Sequence, residues 1–105
     1  MTDKVEVFNV NTPGRSERVD AAKYNAMRAA VLSVAPHAPP GITAAELKET
    51  AMPHLPQALF PGGKTTGWWL KCVQLDLEAR GLMVRTKGSP LRFHLTNKEN
   101  RDEQH

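Results

Sequence analysis

The spacing of apolar side chains changes period along the chain, and each change marks an element. Val5, Val7 and Val10, with Phe8 between them, form a β-prone stretch that predicts a strand. Asn11-Thr12-Pro13-Gly14 reads as a turn, because proline fixes φ and glycine accepts positive φ. From Asp20 the spacing becomes three and four: Tyr24, Met27, Val31 and Val34 share one helical face. Ala21, Ala22, Ala26, Ala29 and Ala30 add helix propensity, and the Asp20 carboxylate suits an N-cap. Pro36 ends this first helix, and Pro39-Pro40-Gly41 confirms the break.

Thr43-Ala44-Ala45-Glu46 has the form of a capping box and opens a second helix with Leu47, Ala51 and Leu55 facing inward. Pro53 stops or kinks it near Met52; Pro56 to Phe60 allows one more short turn before Pro61-Gly62-Gly63. Thr65 or Thr66 is expected to cap a third helix that Gly81 closes. In it, Trp68, Cys72, Leu75 and Ala79 recur at i, i+4, i+7 and i+11 and are expected to form the core stripe. Leu70, Val73 and Leu77 lie on nearly the opposite side, so this helix is either sandwiched or carries an interface. Lys71, Gln74 and Glu78 make its polar strip. Leu82-Met83-Val84 and Leu91-Arg92-Phe93-His94-Leu95 read as strands around a Lys87-Gly88-Ser89-Pro90 turn. Beyond Asn97 the chain is polar, the composition of a disordered tail.

Composition narrows the class. The chain has 105 residues, 40% hydrophobic and 24% charged, enough for one ordinary globular domain. No apolar run approaches a membrane span, and the N-terminus lacks the features of a signal peptide. With its single cysteine, Cys72, no intrachain disulfide can form, so a cytoplasmic location without membrane contact is expected. The net charge of +3 is mild. Its distribution says more: Lys64, Lys71, Arg80, Arg85, Lys87 and Arg92 face only Asp76 and Glu78 between residues 64 and 92. The positive excess therefore lies on the last helix and the hairpin.

Three short helices followed by a hairpin is the winged-helix order. The run Leu77-Glu78-Ala79-Arg80-Gly81-Leu82-Met83-Val84-Arg85, then Pro90-Leu91-Arg92, resembles the helix-to-wing junction of bacterial winged-helix regulators. The chain also resembles a group of small bacterial proteins across residues 5–95 through Arg18-Val19-Asp20-Ala21, Leu55-Pro56, Phe60-Pro61-Gly62-Gly63, Gly67-Trp68-Trp69 and Pro90-Leu91-Arg92, a likeness that brings no activity with it. The expected fold is α+β: a winged-helix domain over 20–96 with a C-terminal β-hairpin, a strand and turn over 1–19, and a disordered tail over 97–105. The pattern departs from a helix-turn-helix in two respects: the third helix carries Asp76 and Glu78 with only Lys71 as a cation on its polar strip, which counts against DNA binding, and its connection to the second helix is long. The turn between the second and third helices is usually 3–4 residues, whereas here Pro53 to Lys64 intervene.

The resemblance implies DNA binding and regulation, with Lys64, Thr65, Thr66, Lys71 and Gln74 nearest the groove and Arg85, Lys87 and Arg92 holding phosphates. Free amides at the start of the third helix, beside Lys64, suit a phosphate. The alternative is an interaction or dimerisation module working through Trp69, Leu70, Val73 and Leu77, with Trp69 a partly exposed platform rather than a core anchor. No enzyme is read here. Gly63-Lys64-Thr65 lacks the first glycine of a P-loop, since Ala58 stands in its place. His37, His54, His94 and His105 have no metal-ligand spacing with Cys72 or each other, and Cys72 reads as an inert core thiol. No cofactor is implied.

Overall fold

The computed structural model describes residues 3–96; the expected tail lies outside them. An N-terminal hairpin pairs β1 (Lys4–Phe8) antiparallel with β2 (Ser16–Asp20). The expectation had only the first strand and the turn. The second strand is mostly polar and exposed, and Val19, opposite Val5, is its one apolar residue. Nothing in so polar a segment signals a strand until its partner is known.

The hairpin runs directly into α1 (Ala21–Val34), where Asp20 Oδ2 accepts the Lys23 amide at 3.0 Å as the N-cap. Tyr24, Met27 and Val31 are buried as their spacing requires, and Val34 is partly covered. After the proline break comes β3 (Ile42–Thr43), then α2 (Ala44–Ala51). Thr43 therefore does two jobs. It pairs in a sheet, and its hydroxyl accepts the Glu46 amide at 3.1 Å while Glu46 Oε1 accepts the Thr43 amide at 2.9 Å. Gly41, with φ of 84°, precedes β3, and a Cβ there would meet the Phe93 carbonyl oxygen at 2.1 Å. Only glycine lets this short strand reach the sheet.

The long link after α2 is a plug. A 3₁₀ turn (Met52–His54), a turn closed by the Leu59 and Phe60 amides on the Pro56 carbonyl, and a second 3₁₀ turn (Pro61–Gly63) carry Phe60 into the core. Leu55 and Leu59 pack beside it.

The third helix, α3 (Thr66–Ala79), ends as expected at Gly81. The Leu82 amide bonds the Leu77 carbonyl at 2.8 Å and the Gly81 amide bonds that of Glu78 at 3.1 Å, a Schellman stop. Its N-terminus differs from expectation. Thr65 holds the N-cap position with φ of 61°, but neither threonine caps. The Thr65 hydroxyl donates to the Lys64 carbonyl and that of Thr66, which is buried, to Gly63.

The expected core stripe also differs. Trp69, Leu70, Val73 and Leu77 are the side chains buried with α1, whereas Trp68 is 57% exposed and Ala79 is open to solvent. Leu75 and the half-buried Cys72 lie instead toward β1, where Val7 and Phe8 line the same cavity. Apolar on two sides, α3 is sandwiched between the helical core and the N-terminal hairpin.

Past Gly81, β4 (Met83–Thr86) and β5 (Arg92–Leu95) form the second hairpin. β5 is central in a sheet of order β3-β5-β4, sending Phe93 and Leu95 inward. The result is an α+β domain of three helices and two small antiparallel sheets.

A buried polar knot joins these layers. The Asp76 carboxylate on α3 accepts the Phe8 amide at 2.8 Å, the Tyr24 hydroxyl and Arg80 Nε at 2.8 Å. Tyr24 is pushed up to about 12, first by burial and then by its hydrogen bond to Asp76 and that group's negative charge. Raising the folded-state value above the ordinary 10.0 means the unfolded chain loses its phenolic proton first. Stability from Tyr24 is thus complete below pH 10 and lost as pH rises toward 12, by about 2 kcal/mol. Urea midpoints measured below pH 10 and near pH 12 should fall further in the native protein than in Tyr24→Phe. Equal falls would show that the hydroxyl is not so held.

Candidate nucleic-acid interface

The expected binding residues separate into three environments. At the start of α3, Lys64 and Thr65 are exposed while Thr66 is buried and committed to Gly63. Thr66 offers nothing to a ligand. On the middle of α3, Lys71 is exposed. Gln74, expected on the polar strip, is buried, and its Nε2 donates to Glu78 Oε1 at 3.3 Å. On the second hairpin, Lys87 is exposed at the turn. Arg85 is clamped by Glu78 through two 3.0 Å bonds, Nε to Oε2 and a terminal nitrogen to Oε1, and lies 5.7 Å from the Phe93 ring centre. Glu78 thereby raises Arg85 above its ordinary value and fixes it as a cation. Arg92 lies 3.9 Å from Glu46 Oε1. That carboxylate is held below its usual range by the Thr43 amide and hydroxyl and then by Arg92.

Packing brings Lys71, Gln74 and Arg85 to one groove of about 450 Å³, closed by Ala44 and Ala45 at the start of α2 and by Leu91 and Phe93 of the hairpin. A second cavity of about 220 Å³ lies across α3, between Trp68, Lys71 and Cys72 on one side and Phe8 and Glu17 on the other. Lys71 lines both, so it stands on the ridge between them with Trp68 one turn earlier. Burial, with Asp76 and Glu17 nearby, pushes the Cys72 thiol up to about 11, so it stays protonated and unreactive near neutral pH.

Sequence reasoning missed two residues. Lys48 on α2 was not among the expected binding residues. Its Nζ lies 3.9 Å from where a Cβ on Gly67 would stand, against the exposed face of α3. Trp68 was assigned to the core, yet it lies on the surface edge-to-face with Trp69, centroids 4.9 Å apart and planes at 77°. Among the described residues, Lys48, Lys64, Lys71 and Lys87 have no acidic partner; of the acids nearby, Glu46 and Glu78 are engaged by Arg92 and Arg85, and Glu17, on the cavity shared by Trp68 and Lys71, is in no ion pair. The partner surface expected through Trp69, Leu70, Val73 and Leu77 is not there. All four are inside, covered by the chain itself, because the helical core rather than the hairpin takes the larger side chains of α3.

These features define a small α+β domain with Trp68 and Lys71 on an exposed ridge of its third helix. A family model described as a family of unknown function, DUF6958, matches residues 4–93, and the chain belongs to that family. No curated protein matches the chain. No solved structure matches it either. Among the described residues, no helix is long and apolar enough to cross a membrane.

Proposed function

We propose that this is a winged-helix module that binds nucleic acid, DNA in the first instance, and acts as a regulator by doing so. The order α1-β3-α2-α3-β4-β5, with β3 paired at the far side of β5, supports the fold reading. In it α3 faces the groove of the duplex and the β4–β5 hairpin is the wing. The observation that carries the functional reading is the pairing pattern on this face. Glu46 and Glu78 are paired with arginines, so Lys48 and Lys71, on the neighbouring helices α2 and α3, and Lys64 and Lys87 at the two ends, keep their charge for phosphates. Such contacts position a duplex and contribute little to sequence choice. Gln74, the side chain of the expected set suited to reading an adenine edge, is buried.

Binding to a duplex of mixed sequence, followed by fluorescence anisotropy, should weaken with salt at a log–log slope of roughly −3 to −4, the value for about four phosphate contacts. Lys48→Ala with Lys71→Ala should reduce that slope by about 2 and leave the unfolding curve unchanged, since both side chains are exposed. Binding insensitive to salt, or none at low salt, would sink the reading.

A further inference from the structure

We infer that Trp68 is a stacking platform for an unpaired base, so that the preferred ligand is nucleic acid with a single-stranded stretch rather than a continuous duplex. The inference rests on the nucleic-acid reading above and names the ligand class for the same face. A tryptophan 57% exposed is unusual in a domain whose other large aromatics are mostly covered. This one is held in place. Its ring meets Trp69 edge-to-face at 4.9 Å, and Trp69 is locked in the core, so the exposed ring is propped against a rigid support. A ring so fixed loses little freedom when it stacks.

Its surroundings specify the occupant. Lys71 stands one turn along α3, lining the same cavity as Trp68, with Glu17 of β2 also on that cavity. Lys48 Nζ lies beside Gly67, the residue preceding Trp68, where the missing side chain leaves the helix surface open to a close approach. An aromatic face with unpaired cations beside it is complementary to a base and its phosphates, and every base has a π-face, so the contact tolerates any sequence. In a continuous duplex the bases are stacked on one another and offer the ring no face. A strand with unpaired bases offers both parts. A second copy of the chain would bring the same lysines against each other, which disfavours it as the occupant.

The experiment compares a blunt duplex with the same duplex carrying an internal gap of a few unpaired nucleotides. The gapped form should bind about tenfold more tightly and quench tryptophan fluorescence, while the blunt form binds without quenching. Trp68→Ala should lower affinity for the gapped form by about tenfold, down to that of the blunt duplex, and leave the blunt duplex unaffected. Trp68→Phe should retain most of the affinity and abolish the quench. Circular dichroism should show both variants folded, as the side chain is exposed. Equal affinity for the two ligands without quenching overturns the platform and leaves the lysine face standing. Binding to neither overturns both. A concentration-dependent dimer that Trp68→Ala dissolves would put a second copy on the ring and overturn the platform.

Discussion

Replacing Asp76 with alanine is expected to lower the unfolding free energy by about 3–5 kcal/mol, a large share of the stability of a domain this size. The carboxylate is fully buried and accepts from three places: the Phe8 amide of β1, the Tyr24 hydroxyl of α1 and the guanidinium of Arg80, just past the end of α3. Truncation strands the buried Tyr24 hydroxyl and takes the acceptor from the Phe8 amide and Arg80 Nε, and an unmet buried donor costs more than the bond it has lost. The damage should be directional. Arg80 also donates to the Glu6 carbonyl at 3.1 Å and stands 5.0 Å from the Phe8 ring centre, so Asp76 and Arg80 together pin β1 to α3. Hydrogen exchange at the Phe8 amide should therefore accelerate beyond the change seen in β4 and β5. Asp76→Asn should fall between native and alanine, because its amide keeps one acceptor but turns new donors toward existing ones. Tyr24→Phe should cost less in the Asp76→Ala background than alone, since there the hydroxyl has already lost its acceptor. Urea unfolding of the native protein and these four variants measures the stability changes. A loss under about 1 kcal/mol for Asp76→Ala, or an additive double variant, would show that the knot contributes little.

The same knot shows where local sequence stops being informative. Asp20 as N-cap, the Thr43–Glu46 box, the Gly81 stop and the second hairpin all lie within a few residues of the side chains that explain them, and each stands where the sequence put it. Asp76 does not belong to that group. In the sequence it is an acid on a helix of mixed charge, counted against DNA binding; only Arg80, one turn on, hints at a pair. Its other partners are 52 and 68 residues away, and the fold alone brings them in. Lys48 is the same case at the candidate interface. β3 is too short to show a period, and β2 is too polar to show an apolar one. Gln74 and Thr66 were misplaced for a related reason. A polar residue that satisfies itself within its own helix or preceding turn, as these do with Glu78 and Gly63, can be buried without any apolar signal.

The tryptophan pair is where sequence pattern and packing part most sharply, and it yields the second large effect. Trp69→Ala is expected to cost about 3–5 kcal/mol, while Trp68→Ala costs at most about 1 kcal/mol, mainly the edge-to-face contact. By periodicity the two rows of α3 are nearly equivalent, each an apolar line running the length of the helix. What separates them is volume against available cover. The row of Trp69, Leu70, Val73 and Leu77 packs with Met27 and Val31 of α1, where a full layer of side chains can surround an indole. The row of Trp68, Cys72, Leu75 and Ala79 meets only a two-stranded hairpin. That hairpin covers the middle of the row and leaves both its ends exposed. Trp68 is at one of those ends. Thermal or urea unfolding of the two single variants decides the matter. If Trp68→Ala proves the more damaging, the helix is rotated from the orientation described. Leu70, Val73 and Leu77 would then return to the surface, and the ridge formed by Trp68 and Lys71 would no longer exist.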